Sequence, residues 1–472
     1  MDIALKCPQC GAEVSLEEDA SVFRCEFCES TLMPTGRNEV QSFFFPPKGT
    51  KEQVGKALLK ALEKKMGRFE MKKASLVYAP YWRVKGLLFQ HAFGRKYENT
   101  LYGGTAYDFF KEIRAVAYNR TFPAFASDGW GVFSLGLRAE AMKMWPYNKE
   151  KMGKESLVLK EDVALEEAVK MALQTPYPSG SADREKIELL KTQLIGERYS
   201  LVYFPFYCFS VVQDESERVF IVDGLSHKVV KGKLALDELE KEPRRETVPY
   251  QPLQFIPFKC ANCGWDLPYR PKARIHLCRT CGRAWQEKAG HFQEVPYRVC
   301  LPDEGKRMGS FTYLPFWRLT VTIRTPGREY RNLKDFYNLF PLPRVMDQQA
   351  LEKRRIRFLI PAFRIRNAAA VDRFATQMAR NQPEFTEVET EEFREIRAAD
   401  VWLPLGEAME MAGLLLYSMV PKRARKIRET VKAASLQLDE KILLWLPFLG
   451  KGIFLREVNT DFAIQKNCLE LD

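Results

Sequence analysis

Four Cys-x-x-Cys motifs lie along the chain as two similar pairs, and in each pair fourteen residues separate one motif from the next. Four cysteines at this spacing are typical of a site in which thiolate sulfurs hold one zinc ion tetrahedrally. The predicted ligands are Cys7, Cys10, Cys25 and Cys28 in the first site, and Cys260, Cys263, Cys278 and Cys281 in the second. Because four sulfurs leave no position for water or substrate, both zinc ions are predicted to be structural.

Other uses of these cysteines are less consistent with the sequence. Disulfide frameworks belong to secreted chains, and no apolar export segment follows Met1, so we expect no signal peptide. His276 is a competing ligand beside Cys278, but four thiolates are available without it. Glycine follows three of the four motifs, where it favours a tight turn, and Glu29 follows the fourth. The remaining cysteines, predicted to be buried, are Cys208, Cys300 and Cys468.

The composition predicts a globular cytoplasmic protein of at least two domains. At 472 residues the chain is too long for one ordinary core, and 46% of its residues are hydrophobic. Its net charge of +12 allows attraction to nucleic acid or anionic lipid without requiring either. The longest apolar runs, 411–420 and 442–449, are shorter than the roughly 20 residues of a membrane span, so we expect no transmembrane segment.

Landmarks of the first half recur in the same order in the second half. The pairs are Cys7 with Cys260, Pro80 with Pro315, Pro123 with Pro361, and Pro205 with Pro447. They predict an α+β fold, built as a tandem duplication of a four-cysteine zinc ribbon followed by a mixed α/β body. The predicted domains are ribbon 1 at 1–35, body 1 at 36–245, ribbon 2 at 246–290 and body 2 at 291–472.

Two basic regions are candidate contacts for phosphate. In the second ribbon, cations alternate with Trp265 and Trp285, a mixture that suits nucleic acid; alternatively the tryptophans pack against the body, which we favour. The first ribbon is acidic, so two equivalent nucleic-acid readers are not expected. A basic run after an apolar helix ending near Val420 favours either an anionic membrane surface or a solvated helix face. The candidate residues are Arg274, Arg279, Arg283, Arg423, Arg425 and Arg428.

No sequence motif predicts catalysis. We find no phosphate-binding glycine loop, no dinucleotide-binding fingerprint, no HExxH and no GxSxG. With only four histidines in the chain, histidine-centred acid–base chemistry is not favoured. We therefore expect no enzyme activity, unless the fold brings distant carboxylates or Cys208 together in a cleft.

The first ninety residues place a CPxCG ribbon, a strand ending in proline, an amphipathic helix and a Tyr-x-Pro-Tyr-Trp strand in succession. This order resembles a bacterial family of transcription-factor-type zinc-ribbon proteins, often described as helicase-related although they lack helicase motifs. The matching segments are 7–11, 25–28, 43–46, 54–62 and 77–84, and weaker matches lie at 260–282 and 313–319. Some members look like partners of flotillin-type or phage-shock-type membrane-stress proteins. The resemblance implies an adaptor and supplies no catalytic residues.

These observations together predict a non-catalytic scaffold or adaptor with two zinc ions. Its main ligands are expected to be proteins, and the membrane surface is one place where it could act. The alternative is a nucleic-acid-binding protein that uses the basic second ribbon.

Overall fold

The computed structural model describes residues 2–18, 20–35, 40–67, 70–99, 105–126, 130, 143–178, 185–213, 216–230, 253–304, 310–341, 347–388 and 398–469. These residues form a mixed α/β protein of two compact units. The first unit comprises Met1–Gly86, Ala117–Thr175 and Gly196–Pro257, and the second comprises Leu87–Val116, Pro176–Ile195 and Phe258–Asp472. The four consecutive domains stay a prediction, and their boundary at 245/246 lies outside the described residues.

The elements up to Pro257 are as follows. The strands are β1 (Asp2–Lys6), β2 (Glu13–Glu17), β3 (Phe23–Arg24), β4 (Thr31–Thr35), β5 (Gln41–Phe44), β6 (Glu70–Asn99), β7 (Thr105–Pro123), β8 (Trp145–Pro146), β9 (Leu157–Val158), β10 (Glu185–Gln213), β11 (Ser216–Asp223), β12 (Val229–Val230) and β13 (Gln254–Pro257). The helices are α1 (Lys51–Met66), α2 (Lys149–Met152) and α3 (Leu165–Leu173). The long strands β6, β7 and β10 contribute residues to both units.

The first ribbon is built from two small antiparallel sheets. Strand β1 pairs with β2, and β4 pairs with both β3 and β13. Strand β13 therefore completes the first ribbon, although the predicted boundary at 246 assigns its residues to the second. No sequence signal indicates this pairing, because a four-residue strand far along the chain is recruited by tertiary contact alone.

In the body of the first unit, aromatic side chains pack against a mixed sheet. Strand β5 runs parallel to β10 and antiparallel to β8. The rings of Tyr81 and Phe125 meet edge to face, as do those of Phe45 and Phe204, in a core where area burial and ring geometry both stabilise the fold. Helix α1 begins after Thr50, a residue type that the sequence favours at an N-cap, and the Thr50 hydroxyl accepts a hydrogen bond from the Gln53 N–H.

The elements after Pro257 follow a similar plan. The strands are β14 (Ile275–Leu277), β15 (Ala284–Lys288), β16 (His291–Glu294), β17 (Tyr297–Cys300), β18 (Thr312–Thr325), β19 (Arg328–Tyr330), β20 (Ile356–Pro361), β21 (Glu387–Val388), β22 (Ser435–Lys451), β23 (Phe454–Glu457) and β24 (Ala463–Gln465). The helices are α4 (Leu333–Leu339), α5 (Gln348–Lys353), α6 (Ala368–Asn381), α7 (Leu405–Met419) and α8 (Arg425–Lys432). Strands β14 to β16 form the sheet of the second ribbon, and β18 and β22 pair at the centre of the body.

Helix α7 is the apolar helix that precedes the basic run. Residues 414–419 of this helix are all buried, and several of them pack in the core of the second unit. No helix among the described residues is both long enough and apolar enough to cross a membrane. The apolar half of the predicted membrane-docking element is therefore occupied by intramolecular packing.

Equivalent hydrogen bonds recur within the two units. The Trp82 indole donates to the Val163 carbonyl at 2.7 Å, and the Trp317 indole donates to the Leu403 carbonyl at 2.8 Å. Strand β5 runs parallel to β10 in the first unit, as β17 runs parallel to β22 in the second. The landmark prolines take part as well, because the Pro315 carbonyl accepts from Ala362 as the Pro80 carbonyl accepts from Ala124. The described structure is compatible with duplicated zinc-binding modules.

Candidate metal centres and neighbouring surfaces

Each of the four Cys-x-x-Cys motifs forms the same hydrogen-bonded turn. The first cysteine accepts, through its carbonyl, a hydrogen bond of 2.8–2.9 Å from the residue four positions later, and its N–H donates to the carbonyl five positions later. The residue four positions on has a left-handed backbone, with φ between 57° and 76°. These residues are Gly11, Glu29, Gly264 and Gly282. Three are glycines because a side chain is unfavourable in this conformation, so the sequence signal has a direct physical cause.

The turns bring four sulfurs together at each site. The Sγ atoms of Cys7 and Cys28 lie 3.8 Å apart, and in each site all four sulfurs lie within 4.8 Å of one another. In the second site, Cys263 and Cys278 are 3.7 Å apart. Sulfurs bound tetrahedrally at about 2.3 Å from zinc are separated by about 3.8 Å, so the sites have the dimensions that such a metal requires. None of these cysteines forms a disulfide.

Neighbouring donors favour the thiolate form of individual ligands. The hydroxyl and N–H of Ser30 lower the pKa of the Cys28 thiol to about 6. Burial raises the pKa of Cys260, but hydrogen bonds from the backbone of Cys263 and Asn262 outweigh it and lower that pKa to about 7. The Trp285 indole also donates to the Cys260 sulfur at 3.2 Å. Such contacts stabilise the charge that a metal-bound sulfur carries and fix its position.

His276 and the three cysteines outside the Cys-x-x-Cys motifs do not belong to either cysteine cluster. His276 is buried against Phe258, with 4.7 Å between the ring centroids, and burial lowers its pKa to about 3, which keeps it neutral. Cys208, Cys300 and Cys468 are buried as expected. Burial raises the pKa of Cys208 and of Cys300 to about 12, so neither is a reactive thiolate at neutral pH.

Substituting Gly264 tests the turn geometry directly. Gly264→Ala is expected to lower the free energy of unfolding by about 1 kcal/mol, because alanine is strained at its φ of +76° although a Cβ meets no atom within 4 Å. Gly413→Ala is the matched control within α7, where a Cβ also meets nothing and alanine should stabilise the helix by about 1 kcal/mol. Denaturant unfolding measures the change in the free energy of unfolding for both variants. Equal changes would contradict a left-handed turn at Gly264 that disfavours alanine.

Charged contacts join each ribbon to the body of its own unit. The Arg83 guanidinium, 3% exposed, donates to the Glu18 carboxylate, which also lies 3.3 Å from the Lys85 amine. In the second unit, the Arg270 guanidinium lies 3.7 Å from the Asp400 carboxylate, and the backbone N–H of Arg274 donates to the Val401 carbonyl at 2.7 Å. Arg274 is half-buried. These contacts hold each ribbon against its own body and leave the tips of the Cys-x-x-Cys turns exposed.

The second ribbon divides its two tryptophans between core and surface. Trp285 is 6% exposed and Trp265 is 66% exposed, so packing against the protein accounts for only one of them. Arg279 is exposed within the Cys-x-x-Cys motif at 278–281, and Arg283 is exposed with an ion pair to Glu294 at 3.1 Å. An ion pair of this exposure contributes little to stability, and it leaves Arg283 accessible.

The basic run after α7 likewise contains both exposed and buried side chains. Arg423 and Arg425 are exposed and pair with Asp108 and Glu429. Arg428 is buried; its guanidinium lies 3.0 Å from the Glu188 carboxylate and 5.7 Å from the centroid of the Phe93 ring. Arg428 is therefore buried and ion-paired rather than presented at the surface with Arg423 and Arg425, and its phosphate contact stays a prediction.

The sequence prediction missed Phe27, a candidate binding residue inside the second Cys-x-x-Cys motif. Its side chain is 68% exposed. The available signal was its position, since a residue between two metal ligands at the end of a tight turn has no core to enter. Together with Trp265, it gives each ribbon one exposed aromatic ring beside its sulfur cluster.

Comparison with known proteins found no match. No protein-family model matches this chain, no curated protein matches it, and no solved structure matches it. The resemblance to transcription-factor-type zinc-ribbon proteins stays a prediction.

Proposed function

We propose that this chain is a non-catalytic scaffold or adaptor that binds other macromolecules through two zinc-stabilised ribbons, produced by tandem duplication of one module. The observation that carries the proposal is the exposure of Phe27 and Trp265, at 68% and 66%, within or directly after the turns that carry the clustered cysteines. Aromatic side chains are the most frequent energetic centres of protein interfaces. Rigid turns reduce the entropy lost on binding, which favours such positions further.

Zinc is the metal that the ligand set supports best. Thiolates select soft or borderline metals, and the sulfur spacing matches a closed tetrahedron. Because four sulfur ligands leave the metal only a structural role, the binding activity of the protein is proposed to lie on the ribbon surfaces.

The two ribbons are proposed to bind different partners because their surfaces differ in charge. Exposed Glu26 and Glu29 flank Phe27 in the first ribbon. Exposed Lys259 and Arg279 belong to the second ribbon, which carries Trp265. Complementary charge steers association and suppresses wrong partners, so a basic protein surface suits the first ribbon and an acidic one the second.

Nucleic-acid binding by the second ribbon is the second candidate function. It is favoured by a specific observation: Trp265 and Tyr269 are 66% and 49% exposed in a ribbon that carries exposed cations. Exposed rings stack on unpaired bases while cations contact phosphate, and such binding weakens steeply with salt.

Capture of partners by the metal-loaded chain from native lysate, with and without nuclease, tests the two functions against each other. An adaptor retains its partners after nuclease treatment, and purified partners should bind Phe27→Ala or Trp265→Ala at least tenfold more weakly, which corresponds to about 1.4 kcal/mol. Ile453→Ala is the matched control, since Ile453 is also 66% exposed but lies outside both ribbons. Equal loss in the control would contradict ribbon-specific binding.

Partners that disappear with nuclease would favour the second candidate instead. In that case binding to single-stranded nucleic acid should fall as salt rises and should be weakened in Arg279→Ala and Arg283→Ala. Retention of a partner by both ribbon variants would argue against either function at these surfaces.

A further inference from the structure

A cleft of about 300 Å³ lies in the first unit between the ribbon and the body. Its walls come from β1, the start of β2, β8 with the residues that follow it, and β13. The residues that give it chemical character are three lysines and three aromatic residues: Lys6, Lys143, Lys151, Trp145, Tyr147 and Phe255. This cleft is distinct from the exposed Cys-x-x-Cys turns on which the proposed function rests.

The cleft is formed by backbone that is hydrogen-bonded on several sides. The Ala4 N–H donates to the Met144 carbonyl at 2.8 Å, and the Tyr147 N–H donates to the Ser42 carbonyl at 2.9 Å. Strand β13, which carries Phe255, is paired along its length with β4. A ligand entering this cleft would find its walls already ordered, so little conformational entropy opposes binding.

The charges around the cleft are unbalanced. Among the described residues, three lysines line it against one acidic residue, Glu13, which lies directly across the strand pair from Lys6. Lys143 and Lys151 form no ion pair with a carboxylate in the described parts of the chain. The Lys151 amine lies 4.4 Å from the centroid of the Trp145 ring, and this cation–π contact holds the positive charge at the wall. As far as the described residues are concerned, Lys143 and Lys151 can thus both contact an anion beside aromatic surface.

We propose that this cleft binds a small molecule that combines one flat ring system with a phosphate group, of the class of a nucleoside monophosphate. The phosphate is placed with Lys143 and Lys151, and the ring lies along the aromatic and aliphatic wall. A volume of about 300 Å³ is at the lower end of ligand sites, which fits one ring system and one phosphate. Lysine amines contact phosphate as point charges, while aromatic walls bury a planar ring.

Calorimetric titration of the full metal-loaded chain with AMP, adenosine and inorganic phosphate tests the proposal. AMP should bind at least tenfold more tightly than either fragment, because both halves of the cleft are then used. The double variant Lys143→Gln/Lys151→Gln should weaken AMP at least tenfold and leave adenosine unchanged, and Lys143→Arg/Lys151→Arg should restore AMP binding. Trp145→Leu should weaken AMP and adenosine alike. Lys154→Gln, an exposed lysine outside the lining residues, is the matched control.

The proposal is overturned if AMP binds no more tightly than phosphate, or if the glutamine variant binds AMP as well as the unaltered chain. A single-stranded oligonucleotide that binds more tightly than AMP and depends on the same two lysines would also overturn it, in favour of a polymer site. Should Trp145→Leu fail to fold, the lysine series decides the question, because those side chains lie at the surface.

Discussion

Replacing Cys260 and Cys263 together by serine is expected to reduce the bound metal from two ions per chain to one. The second ribbon should then unfold, because its sheet of three short strands is too small to be stable without the metal. Structural zinc contributes on the order of 10–16 kcal/mol in units of this kind. Metal analysis by mass spectrometry gives the stoichiometry, and amide hydrogen exchange over residues 258–294 reports the loss of structure.

The two ribbons provide controls for each other. Cys7→Ser/Cys10→Ser should remove the other metal ion and leave exchange in the second ribbon unchanged. Cys468→Ala alters a buried cysteine outside both groups and should retain two ions. A chain that keeps two metal ions after loss of Cys260 and Cys263, or keeps its slow exchange without metal, would show that the sulfur cluster is not the basis of the ribbon.

Replacing Asp372 by asparagine is expected to make the stability of the second unit more sensitive to acid. Asp372 belongs to a buried hydrogen-bonded network in which the Ser418 hydroxyl donates to its carboxylate at 2.7 Å. His91 Nε2 lies 2.9 Å from the same hydroxyl oxygen, and since the serine hydrogen is already used, Nε2 carries the hydrogen and donates. The Lys111 amine donates to the Ser418 and Val420 carbonyls.

Burial moves the two titrating groups of this network in opposite directions. It lowers the pKa of His91 to about 4, helped by the positive charges of Lys111 and Lys191. It raises the pKa of Asp372 to about 6, against the hydrogen bond from Ser418 and the positive charges of Lys111 and Arg373. The histidine therefore costs stability as pH falls from 6.5 towards 4, because only the unfolded chain takes up that proton. The aspartate gains stability as pH falls from 6 towards 3.8, because the folded chain takes up its proton first.

These two contributions nearly cancel in the unaltered chain. At about 1.4 kcal/mol per pKa unit, acidification from pH 7 to 4.5 gives a gain of about 2 kcal/mol from Asp372 and a loss of about 2 kcal/mol from His91. Asp372→Asn keeps an oxygen that accepts from Ser418 but removes the gain, so its stability relative to the unaltered chain should fall by about 2 kcal/mol between these pH values.

Denaturant unfolding at pH 7 and 4.5 measures this difference. His91→Gln is the reciprocal variant, and its relative stability should rise by about 2 kcal/mol on acidification. Both variants retain all eight clustered cysteines, so any loss of metal in acid affects them and the unaltered chain alike and cancels in the comparison. A constant stability difference between variant and unaltered chain at the two pH values would show that neither group titrates as its burial requires.

The sequence determined the two cysteine clusters because the turns that form them are local. Two cysteines three positions apart, followed by glycine, specify a turn, and the repeated spacing identified which turns belong together. The helix start at Thr50 and the recurring prolines were readable for the same reason, since capping and ring constraints act within a few residues.

Tertiary structure alone decided which side chains reach the surface. Arg428 and Arg425 look alike in a basic run, yet Arg428 is buried against Glu188, from a strand 240 residues earlier. Trp265 and Trp285 both follow ribbon cysteines, but only Trp285 reaches a sulfur and the core. The pairing of β13 with the first ribbon and the meeting of His91 with Ser418 depend likewise on partners distant in sequence. Burial depends on contacts that form when distant segments pack together, and local sequence does not contain those contacts.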